Sequence, residues 1–142
     1  RPESYEEINN FYTVTVYEKG AEVVRMLHTL LGEKTFRKAC NRYFDRFDGQ
    51  AVTTDDFVSV LEEVSGLDLE QFRRWYFQAG TPEVSLQARH DAAAGTLVLE
   101  LAQSTPNTPN QEDKQPFLIP LRIALFKSDG HRLPFEYQEQ PC

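Results

Sequence analysis

The chain is poor in the residues that would tie it to a metal, a membrane or an oxidising compartment. It has two cysteines in 142 residues, Cys40 and Cys142. Two cysteines so far apart give no metal-ligand spacing, and such sparse usage fits a reducing, cytoplasmic setting. No apolar run reaches about 18 residues, so no transmembrane helix is expected, and no signal peptide opens the chain. Positive charge is also short: 15 Lys and Arg stand against 22 Asp and Glu, for a net charge of −7. Nucleic-acid surfaces are normally basic, which argues against a nucleic-acid partner. The chain starts at Arg1 in mid-pattern, without an initiator Met, and stops at Pro141-Cys142. Both ends read as cut points in a longer protein.

What is present suffices for a core, since hydrophobic residues make up 40% of the chain. The stretch Asn9 to Glu33 is its organising element. After the polar and aromatic lead-in Asn9-Asn10-Phe11-Tyr12, a helix is predicted to begin near Val16. Val16, Gly20, Val23, Leu27 and Leu30 recur at helical spacing and mark the buried stripe. Tyr17, Ala21, Val24, His28 and Leu31 form the row beside it. Tyr17 thus falls in the first turn, where unpaired N–H groups and the macrodipole favour anions. Spacing alone makes it a packed aromatic with a hydrogen-bonded hydroxyl.

Three more helices follow. Phe36, Ala39, Cys40, Tyr43, Phe44 and Phe47 give a second, from about Glu33 to Phe47, an apolar face. Arg37, Lys38, Arg42 and Arg46 make its other face basic, and nearby acids make that a solvated face. Thr53 and Asp56 have capping-box spacing before a third helix with Phe57, Val60, Leu61 and Val64 inward. The adjacent acids Asp55 and Asp56 are better read as caps than as metal ligands. Asp68 is expected to cap a fourth helix, with Gln71 reciprocating and Leu67 stapled to Phe72. Phe72, Trp75 and Tyr76 anchor it, Arg73-Arg74 meets surface acids, and Gly80 closes it. Short connections imply antiparallel neighbours.

At Thr81-Pro82 the period changes to two. Val84, Leu86 and Ala88, then Leu97, Leu99 and Leu101, predict a hairpin turning at Asp91 to Gly95. Ser104 to Gln115 is a polar loop. Phe117 to Phe126 is a predicted strand that Pro120 confines to an edge or a bulge. His131 to Tyr137 starts a fourth, and His90 and His131 sit at turns. The fold class is α+β, with antiparallel helices over 1–80 and antiparallel strands over 81–142. Four strands seldom complete a sandwich, so exposed apolar surface, reduced stability and self-association are expected.

The run VYEKGAEVVRMLHTLLGE resembles the segment that follows the zinc site in the aminopeptidase N family of zinc metallopeptidases, above all the bacterial alanyl aminopeptidase type. FDGQAVTTDDF, FRRWYFQAGTPEVS and KQPFLIPLRIALF resemble further family segments in the same order, so nearly the whole chain is covered. The resemblance implies that residues 1–80 end a thermolysin-like catalytic domain and that 81–142 start a small β-sandwich. It implies that Tyr17 is catalytic, donating a hydrogen bond to the oxyanion of the tetrahedral intermediate. It implies that Tyr12 lines the pocket for the substrate's first side chain; an aromatic that merely anchors the loop explains Tyr12 as well. The family's H-E-x-x-H zinc motif and its G-x-M-E-N amino-group segment do not occur in this sequence. Zinc, the cofactor implied for the parent, would therefore have its ligands outside this chain, and the piece alone would be inactive. Its partners would be peptide substrates and the remainder of the parent chain. A non-catalytic helical and β interaction module is the alternative, and the presence of Tyr17 favours the enzyme.

Overall fold

In a computed structural model, residues 6–7, 9 and 13–137 are described, the side chain of Thr15 excepted. Four helices precede antiparallel strands, in an α+β arrangement. The helices are α1 (Gly20–Leu31), α2 (Glu33–Phe47), α3 (Thr54–Ser65) and α4 (Glu70–Phe77). The strands are β1 (Glu83–Asp91), β2 (Thr96–Ser104), β3 (Leu125–Phe126) and β4 (Arg132–Leu133). They form two two-stranded sheets, β1 with β2 and β3 with β4.

The helical core follows the apolar periodicity. Val23 and Leu27 of α1, Ala39 of α2, Val58 and Leu61 of α3, and Leu69 and Phe72 at α4 are buried in one cluster. Gly20 and Leu30 complete the stripe on α1 as half-buried residues, and Val16, in the turn before α1, is half-buried too. Val58 is a core residue that the predicted α3 face omits. Phe44, predicted inward, is 63% exposed. Its neighbour Tyr43 makes the inward contacts instead, with ring centroids 5.5 Å from Phe47 and 5.2 Å from Phe57. One residue is about 100° of helix, which carries Phe44 past the edge of the face that α3 covers. Burial pushes the Tyr76 phenol up to about 12 and raises the Cys40 thiol, with Arg37 opposing the latter, so both groups are neutral at pH 7.

Polar contacts then fix how the helices sit. The capping box is formed at both ends: the Asp56 N–H donates to Thr53 Oγ1 at 3.3 Å, and the Thr53 N–H donates to Asp56 Oδ2 at 2.8 Å. Arg73 reaches Asp55 and Glu62 of α3 as well as Glu70 of its own helix. Arg42 and Arg46 both meet Glu63, joining α2 to α3. The paired surface acids expected for Arg73 are thus present.

The start of α4 departs from the predicted cap. Leu69, fully buried, holds the cap position, and its N–H donates to Glu62 Oε1 at 2.9 Å. Asp68 accepts the Glu70 N–H at 2.8 Å one residue earlier, as a turn-forming carboxylate. Gln71 turns away to Pro116 O, so the reciprocal bond does not form, and Leu67 stays 43% exposed. Burying Leu69 displaced the helix start by one residue. The helix also ends earlier than expected: Gln78 is its extended C-cap, and Gly80 lies two residues further on with φ 101°.

The predicted first hairpin forms, with Asp91 facing Thr96 across the turn. Leu86 faces Leu101 and Ala88 faces Leu99, so Val84, Leu86, Leu97, Leu99 and Leu101 share one side. The predicted third and fourth strands shrink to two residues each, Leu125–Phe126 and Arg132–Leu133. Pro120 has no N–H to donate and restricts Ile119. Among the described residues no strand pairs with 117–124, so its alternating pattern makes no ladder.

Candidate functional site

Tyr17 lies in a single π-helical turn, Thr15–Lys19, that leads directly into α1. The sequence predicts ordinary α-helix there. The turn is pinned by Thr13, whose carbonyl accepts the Val16 and Tyr17 N–H groups, each at 3.0 Å. Thr13 Oγ1 accepts the Val16 N–H as well, at 3.3 Å. Below the turn, buried Val23 and Leu27 hold α1 to the core. The phenol therefore sits on an anchored element, and the residue is 57% exposed. Val14, Ala21 and Val24 are exposed around it, so the row beside the buried stripe faces outward at this end of the helix. Single π-turns inside helices are rare and are found frequently at functional sites. Tyr12 lies outside the described residues, as does Cys142.

Among the described residues, no group of three or more His, Cys, Asp or Glu side chains could hold a metal ion. Asp55 pairs with Arg73, and Asp56 is consumed by the capping box. His131 contacts Asp129 at 3.1 Å on an exposed turn. The described residues do not fit a zinc site. No helix among the described residues is long and apolar enough to cross a membrane.

A groove of about 500 Å³ lies far along the chain from Tyr17, between α4 and residues 110–113. Arg73, Arg74, Glu112 and Asp113 are among its lining residues. Residues 105–117, which span most of the predicted polar loop Ser104 to Gln115 and the first residue of the predicted third strand, fold over the end of α4 there. Their contacts are specific, and the only hint in the sequence is a spacing of three: Thr105, Thr108, Gln111, Lys114 and Phe117 are the residues of this run that turn inward.

Comparison with known proteins places this arrangement. The solved structure of Legionella pneumophila aminopeptidase A in complex with aspartic acid matches with a TM-score of 0.68 and 29% identity, over 75% of this chain and 12% of that one. Aminopeptidase N of Escherichia coli (strain K12) is 49% identical over 99% of this chain and 16% of its own length. Aminopeptidase N of Haemophilus influenzae is 54% identical over 92% of this chain and 15% of its own length. The chain thus spans about a sixth of the curated relatives it matches. Residues 1–76 match the peptidase family M1 domain, and residues 80–140 match a domain of unknown function (DUF3458) with an Ig-like fold. The chain belongs to peptidase family M1, the family of the aminopeptidases N.

Proposed function

We propose that this chain is part of a longer, cytoplasmic zinc aminopeptidase that removes the N-terminal amino acid from peptides, and that Tyr17 is its contribution to the chemistry. The supporting observation is the placement of Tyr17: an exposed residue on a π-helical turn that leads into α1, which buried Val23 and Leu27 hold to the core. In this reading residues 1–80 close the catalytic domain and residues 81–142 open the β-sandwich. Zinc, held by residues outside this chain, supplies the Lewis acid and the activated water of such enzymes. Tyr17 donates its hydroxyl proton in a hydrogen bond to the oxygen on which negative charge develops as the scissile carbonyl becomes tetrahedral. A donor fixed in advance at that point acts on the transition state more than on the ground state. Tyr12, one short segment earlier, borders the pocket for the first side chain.

The test is Tyr17→Phe in the full-length protein, with zinc content measured alongside. Loss of one oxyanion donor typically costs about 2.7–4 kcal/mol, or roughly 10²–10³ in kcat. We expect that loss with KM and bound zinc nearly unchanged. Near-normal kcat would reduce Tyr17 to a packed aromatic. The 142-residue chain assayed alone should hydrolyse no aminoacyl substrate.

A further inference from the structure

Two units joined by a short connection ordinarily move relative to one another unless a large apolar interface stops them. Here Gln78–Pro82 connects α4 to β1, and the sequence leaves a glycine in its middle. We propose that residues 105–117 are a clasp: a segment built to lock this junction, so that the helical unit and the first hairpin behave as one rigid body.

The clasp works from both of its flanks. Lys114 Nζ donates to Ala79 O at 3.0 Å, Thr108 Oγ1 at 2.6 Å and Gln111 Oε1 at 3.3 Å. Gln111 accepts the Ala79 N–H at 2.7 Å and donates to Phe77 O at 3.0 Å. Both backbone groups of Ala79 are therefore held by clasp side chains. In return Gln78 grips the clasp backbone, donating to Gln115 O at 2.8 Å and accepting the Gln115 N–H at 2.9 Å. Gln71 and Arg74 donate to Pro116 O, and Trp75 Nε1 donates to Leu118 O at 2.8 Å. The far end is fixed to the hairpin, where Gln103 of β2 exchanges two 2.8 Å bonds with the Phe117 backbone. Phe117 itself is buried and stacks on Trp75 with ring centroids 4.3 Å apart.

The junction glycine is filled rather than free. A Cβ on Gly80 would meet Thr105 Cγ2 at 2.9 Å and Thr108 Cγ2 at 3.7 Å. Its φ of 101° adds backbone strain for any other residue. Thr105, Thr108, Gln111, Lys114 and Phe117 all turn inward, one every three residues. The same spacing that leaves Pro106, Pro109 and Pro116 on the outside puts Thr105 and Thr108 against Gly80, and Gln111 and Lys114 on Ala79. No covalent or ligand-binding step is involved; the device is conformational.

Two variants test it in the full-length protein: Lys114→Met, which keeps the aliphatic stem, and Gln78→Ala. Amide hydrogen exchange is read by mass spectrometry with fragmentation that resolves single residues. If the clasp is one cooperative unit, each variant accelerates exchange at an amide that its own side chain does not touch. Lys114→Met should accelerate Gln115, and Gln78→Ala should accelerate Ala79, by roughly tenfold, as expected for losing two or three bonds of modest net worth. Amides of α2 and α3 should keep their wild-type rates. Unchanged rates at Gln115 and Ala79 would overturn the proposal, leaving Phe117 packing as the sole tether. Equal acceleration across α2 and α3 would overturn it too, as general destabilisation.

Discussion

Thr53 and Asp56 tie four atoms together and start α3, and their chemistry predicts a pH response. The backbone and hydroxyl bonds from Thr53 hold the Asp56 carboxyl below its usual range, and Arg46 and Arg42 do the same for Glu63. A carboxylate with a depressed folded pKa contributes stability above its unfolded pKa, near 4, and that contribution is lost as pH falls through the folded pKa. Urea unfolding measured between pH 7 and pH 2 should therefore show stability falling at the acid end, and Asp56→Asn should flatten the fall. Thr53→Ala, which removes the cap oxygen, should cost about 1 kcal/mol at pH 7. This site was fully legible in the sequence, because a capping box is local: two side chains three residues apart satisfy each other's backbone. Tyr17 was legible only as an aromatic in a first turn, since a spacing pattern carries no oxyanion; its assigned role rests on family resemblance. The Asp68 cap was misplaced because burial of Leu69, a tertiary event, outweighed a local preference.

At the scale of elements, the helices were readable and the later strands were not, for the same reason. A helix satisfies its own backbone, so a 3.6-residue apolar pattern nearly determines it. The α2 and α3 boundaries came out within a residue of those expected from Glu33, Asp48-Gly49, Thr53 and Gly66. Leu61 is fully buried in the cluster that α1, α2 and α4 share. Leu61→Ala should lower unfolding free energy by about 2–5 kcal/mol in denaturant titrations, with the larger loss if the cavity cannot collapse. A strand needs a neighbour. β1 and β2 find each other across a short turn, whereas the alternating residues 117–124 find no ladder and stay irregular despite an equally good pattern. The clasp was missed because three-residue spacing of mixed polar side chains belongs to neither the helix nor the strand template.

For the whole molecule, the hairpin is the weak side. Val84, Leu86, Leu97 and Leu101 are between 39% and 58% exposed on one face, and Leu121 and Ile123 lie exposed further on. Contiguous apolar surface of this kind promotes association. Sedimentation of the 142-residue chain should show an average mass rising above 16.4 kDa with concentration, and Leu86→Lys, placed at the centre of that face, should hold it near the monomer value. A wild-type chain that stays monomeric throughout would show that this face is not sticky enough to matter. The π-turn at Thr15–Lys19 has a last consequence, for sequence length rather than for chemistry. A wide turn is what an α-helix becomes when it absorbs one surplus residue without shifting the rest. Thr13 and Val14, just ahead of the turn, are thus offset from α1 by about one residue, or 100° of rotation. Deleting a single residue in the turn would spare every contact α1 makes with the core, yet carry Thr13 and Val14 round to a different side of the helix.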